Sequence, residues 1–154
     1  MANTQAMATS FKGELLNAIH QFGSPTIVSR SSLTAPTADT FKAALFFASA
    51  TINDTTATYT TTGEATGTGY SAGGVTFTWI APSTSGTTGF STPSASFAWT
   101  TATIAAFDAV ELYNSTQGNK TVSVHTFGSQ TVTAANFTLT MPSNAAATAL
   151  IRIA

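Results

Sequence analysis

The stretch GEATGTGYSAGGVTFTWI, Gly63 to Ile80, places five glycines in its first twelve residues and then alternates Val75, Phe77 and Trp79 with Thr76 and Thr78. Glycines this dense suit either a loop that cradles phosphate or a chain reversal between strands, and the choice decides the fold class. A phosphate loop of the GxxxxGK type needs its lysine and the hydroxyl after it, and a dinucleotide fingerprint needs its glycines to open a helix. Neither condition holds. The glycines leave a threonine-rich segment and enter a period-two apolar pattern, so they are expected to supply positive φ angles in a strand-to-strand connection.

Outward from this stretch the strand signals continue at short intervals. TFKAALFF ahead of it is a mostly apolar run suited to a buried strand, and TATYTTT is threonine-rich. SFAWT, AVELY, VSVHTF, NFTLTM and ALIRI follow it, with a Pro/Ser/Gly loop from Ala81 to Pro93 and the polar turn NSTQGNK between them. Some eight short strands with turn chemistry predict an all-β fold, an antiparallel β-sandwich of jelly-roll type. A parallel α/β sheet needs helical crossovers, and none is readable after Thr40.

The exception lies near the start. Phe11, Leu15, Leu16 and Ile19 recur at helical spacing between Ser10, a candidate N-cap, and Gly23, a candidate stop. The expected organisation is an N-terminal arm with a short helix over residues 1–35 and a β-sandwich domain over residues 36–154. The opening residues lack the basic and continuous apolar regions of a secretory signal, and no apolar run is long enough to cross a bilayer. The protein is expected to be made and used without crossing a membrane.

Composition narrows the chemistry. The chain has 154 residues, of which 7% are charged, against roughly 25% in an average soluble domain. Threonine fills about one position in five, and β-branched residues of this kind fit a pleated surface. Five cations cannot neutralise many phosphates, which argues against a nucleic-acid partner. Cysteine is absent, which removes disulfides and thiolate chemistry.

The remaining reactive side chains form no signature. His20 and His125 are isolated, whereas a metal site usually wants three or four ligands. Asp108 and Glu111 are three apart, which in a strand puts them on opposite faces. No G-x-S-x-G elbow marks a nucleophilic serine. The expectation is therefore a protein that is no enzyme, with no catalytic residues, no cofactor and no metal. Tyr70, Trp79, Phe90 and Trp99 are candidates for a flat carbohydrate-stacking platform, although alternation with threonine favours a core position for Trp79 and Trp99.

Taken in order, FKGELLNAIHQF, TFKAALFFASATINDTTATYTTTGEATGTGYSAGG, AVELYN, HTFGSQTVTAANFTLTMP and the closing ALIRIA resemble a family of small virion structural proteins of tailed bacteriophages. The match spans nearly the whole chain from Phe11 onward. One departure is that FAWTTATIAAF lacks the basic residue expected in the family's corresponding strand. The resemblance implies a capsid decoration, or cement, protein on the outer surface of the virion, made in the bacterial host cytoplasm. Its partners would be the major capsid protein and further copies of itself, as a dimer or trimer. Phe11, Leu15, Leu16 and Ile19 are the candidate partner-contact residues, because a narrow apolar face on an uncharged surface suits docking. Their alternative role is to cap the protein's own sandwich. The alternative function is a carbohydrate- or receptor-binding module of a head or tail fibre.

Overall fold

The computed structural model describes residues 3–11, 20, 22–23 and 37–153. Among these, nine strands follow in chain order: β1 (Ala6–Met7), β2 (Phe41–Phe47), β3 (Gly67–Thr68), β4 (Val75–Phe77), β5 (Ser83–Ser85), β6 (Thr88–Ser91), β7 (Phe97–Asn114), β8 (Lys120–Leu139) and β9 (Ile151–Ile153). A large sheet runs β1-β8-β7-β2-β4, with β3 alongside β7, and a small sheet runs β5-β6-β9. Every strand pairing is antiparallel. The two sheets pack as an all-β sandwich, as the alternation and turn chemistry predict.

β2 reads as a continuous apolar run because it is buried on both faces. Phe41, Ala43 and Leu45 join the main core, while Ala44 and Phe46 join a second cluster with Ala50, Ile52, Ala109, Tyr113 and Val124. Aromatic rings link the main core from end to end: Phe11 meets Phe22, Phe22 meets Phe41 and Trp79, and Phe77 meets Phe97, with centroids 4.9–5.8 Å apart. Edge-to-face and tilted pairs of this kind add about 0.5–1.5 kcal/mol each beyond their area burial. Ile151 ties the small sheet to this core.

Three expectations need correction. The segments SFAWT and AVELY are one strand, β7, and VSVHTF and NFTLTM are one strand, β8, so a hairpin of 18 and 20 residues replaces four short strands. TATYTTT forms only an isolated bridge, Thr58 to Lys120, because Tyr59 turns inward to a carboxylate. The loop expected from Ala81 to Pro93 holds a hairpin instead, in which β5 and β6 close around Gly86 at φ 59° and Thr87. A two-residue loop of that geometry suits the twist of its strands.

Residues 9–11 are helical, so the helix begins at Thr9, one residue before the expected cap Ser10. Leu15, Leu16 and Ile19 lie outside the described residues. Phe11 is fully buried. β1 pairs with β8, and Ala8, Phe11 and Phe22 belong to the main core, so the described part of residues 1–35 packs as one body with the sheets.

Candidate functional site

The five glycines between Gly63 and Gly74 all take positive φ, as a chain reversal requires. Three of them also sit against backbone: a Cβ at Gly67 would meet the Thr103 carbonyl oxygen at 1.9 Å, one at Gly74 the Ala43 carbonyl oxygen at 1.9 Å, and one at Gly69 the Thr100 and Thr101 carbonyl oxygens at 2.8 Å. The segment thus lies flat on the sheet. Residues 63–65 pair beside β2, and β3 continues along β7.

At its centre is an acid, not a phosphate cradle. Glu64 is buried, and its Oε1 accepts the Gly73 amide at 2.7 Å and the Tyr70 hydroxyl at 2.8 Å, while Oε2 accepts the Tyr59 hydroxyl at 2.5 Å. An anion already occupies the amide that a phosphate would need, and a second one would be repelled. Burial and then the Glu64 carboxylate push the Tyr59 and Tyr70 phenols well above their ordinary range, which keeps both as neutral donors. Tyr113 stacks on Tyr59 with centroids 4.4 Å apart and donates to the Gly73 carbonyl at 2.8 Å. Burial, followed by Glu64 and Glu111, raises its phenol to about 12.

A second polar cluster closes the turn between β7 and β8. The Asn114 amide nitrogen donates to Asp39 Oδ2 at 2.6 Å and pairs with His20 Nδ1 at 3.1 Å, and its Oδ1 accepts the amides of Thr116 and Gln117. Gln117 donates to Asp39 Oδ1 at 3.1 Å. His125 belongs elsewhere, 2.9 Å from the Ser123 hydroxyl through Nε2, beside a cavity of about 220 Å³ walled by Phe97, Val110, Leu112 and Leu139. Burial lowers its imidazole to about 4, so it is neutral near pH 7.

The two histidines therefore join separate clusters. Asp108 accepts from Asn3, while Glu111 is fully buried and accepts from Thr121 at 2.6 Å, so the two acids have separate partners. Among the described residues no three His, Cys, Asp or Glu gather as metal ligands. Trp79 and Trp99 lie in the core at 4% and 3% exposure, which takes the two largest rings out of any stacking platform. Glu64 and Asn114, the two hubs, were not legible as such: their partners lie in part far along the chain, and neither residue forms a motif.

Part of what remains outside is a surface without charge. No Asp, Glu, Lys or Arg occurs between Glu64 and Asp108 or between Lys120 and Arg152. Those spans hold the first half of β7 and almost all of β8, where Thr100, Thr101, Thr103, Ala105, Thr131, Thr133, Ala135 and Thr138 are exposed. Hydroxyl and methyl groups on two long paired strands form the candidate functional surface. No protein-family model, curated protein or solved structure matches the chain.

Proposed function

We propose that this protein is a non-enzymatic decoration protein of a bacteriophage capsid, which docks on the outer surface of the shell through the uncharged face of its long hairpin. The observation that carries the reading is the segregation of charge: the carboxyl groups of Asp39, Glu64 and Glu111 are tied into buried networks, while β7 before Asp108 and β8 after Lys120 carry no Asp, Glu, Lys or Arg and expose mainly hydroxyls and methyls. Charged residues are depleted at the cores of protein interfaces, because an ion desolvated without a partner is costly. A sheet surface is stiff, so docking orders few side chains. Weak contacts repeated around a closed shell then sum through multivalency. The resemblance to small virion structural proteins supports the same reading, and it points to self-association as a dimer or trimer.

The test places charge on the face. Thr131 and Thr133 are exposed on β8 either side of the buried Val132. The pair of changes Thr131→Lys and Thr133→Lys leaves the circular dichroism spectrum unchanged and reduces co-sedimentation with undecorated shells by at least about tenfold, as desolvating two unpaired ions implies. Undiminished co-sedimentation would remove the docking face, and absence of the protein from purified virions would remove the capsid role itself.

A further inference from the structure

We propose that Glu111 is a proton-operated latch: as a neutral acid it lets the crossover of residues 48–74 lie sealed on β2 and β7, and as a carboxylate it loosens that seal. The latch is independent of what the protein docks on.

Glu111 has no exposed surface. It pairs across the sheet with Ala44 on β2 and Val124 on β8, and cross-strand partners point to the same face. Both partners belong to the second apolar cluster, which the crossover covers with Ala50, Ile52 and Tyr59. Thr121 supplies the single hydrogen bond to Oε1, and Oε2 is buried with no partner. A carboxylate in that position has one oxygen facing apolar walls, which costs far more than a neutral acid in the same place. The fold is therefore built around the protonated form.

The surrounding groups act in both directions, the Glu64 charge favouring the neutral acid and the Lys42 ammonium and Thr121 hydroxyl favouring the carboxylate. From the crossover, Glu64 faces the site with its negative charge, and Tyr59 and Tyr70 are neutral donors already committed to Glu64. From β7 itself come Tyr113, whose hydroxyl is committed to Gly73, and Asp108, which is bound to Asn3. β2 contributes Lys42, whose Nζ lies beside Gly73 together with the Tyr113 hydroxyl. β8 contributes Thr121, with Lys120 next to it and His125 on the opposite face. Burial, opposed by the Thr121 bond and reinforced by Glu64, raises the Glu111 carboxyl from 4.5 to about 7.

Ionisation near neutrality then favours any state in which the crossover lifts and lets water reach Glu111. Lifting the crossover breaks the stack of the Tyr59 ring on Tyr113 and the bond of its hydroxyl to Glu64.

The experiment follows the Glu111 side-chain carboxyl by carbon-13 NMR and the crossover amides by hydrogen exchange, in the intact chain. The carboxyl is expected to titrate near pH 7. A group that titrates at about 7 when sealed and at 4.5 when exposed lowers crossover protection about tenfold between pH 6 and pH 8, after correction for intrinsic exchange. Glu111→Gln keeps the shape without the titration and removes this pH dependence. If Glu111→Gln fails to fold, the wild-type titration decides alone, and Glu64→Gln is expected to lower its midpoint by removing the neighbouring charge. A Glu111 midpoint near 4.5, or unchanged pH dependence in Glu111→Gln, overturns the latch.

Discussion

Gly74 and Gly118 separate two reasons for a glycine. Their backbones are alike, with φ of 71° and 65°, but an added Cβ at Gly74 collides with the Ala43 carbonyl whereas one at Gly118 meets nothing within 4 Å. Gly118→Ala is expected to cost only the left-handed strain, about 1–2 kcal/mol. Gly74→Ala must also push β4 away from β2 and is expected to cost about 4 kcal/mol or more. Urea unfolding of the two variants measures the difference, and equal losses would mean that the β2–β4 edge yields freely. At this scale the glycines were legible, because positive φ is a local demand that only a few residue types meet. Glu64 was not. Its partners are Tyr59, Tyr70 and the Gly73 amide, at separations of five, six and nine residues that no single helix or strand period relates.

The long hairpin shows why elements were harder to read than residues. Along β7, Phe97, Trp99, Ala102, Ile104 and Phe107 are buried, with exposed pairs at 100–101 and 105–106 that break the alternation. Pairing shifts register between Trp99 and Ala102 and again between Ile104 and Phe107, so each exposed pair marks an extra residue. A period-two reading stops at each such bulge and counts a new strand. A bulge also bends its strand and adds twist, which lets a hairpin of this length curve over the core. Thr101 takes φ 49° at the first bulge, and its amide is held by Asn136 Oδ1 from β8 at 2.9 Å. Asn136→Ala removes that acceptor and is expected to cost about 1 kcal/mol, the net worth of one hydrogen bond. Hydrogen exchange should quicken at Thr101 and Ala102 while Leu112 stays protected. Uniform acceleration along β7 would mean that the bulge and the rest of the hairpin open together.

At the scale of the whole molecule, the large sheet carries a neutral acid and a neutral base at adjacent positions on opposite faces. Val110 pairs with His125 and Glu111 with Val124, so the two titrating side chains are back to back. Their contributions to stability have opposite signs. His125, lowered to about 4, stabilises fully above its ordinary value of 6.5 and loses that contribution as pH falls through about 4, because only the unfolded chain binds the proton in between. Glu111, raised to about 7, stabilises fully below 4.5 and loses that contribution as pH rises through about 7. Between 4.5 and 6.5 the two slopes, each up to about 1.4 kcal/mol per pH unit, cancel. Wild-type stability is therefore expected to be level across that window as far as this pair is concerned, and each single variant should uncover the other partner. Glu111→Gln, relative to wild type, is expected to lose stability as pH falls from 6.5 to 4.5, and His125→Asn as pH rises across the same range. Denaturant unfolding at half-unit steps reads both slopes. Parallel profiles for wild type and the two variants would show that neither group changes its proton binding on folding, and the neutral pair across the sheet would have no energetic basis.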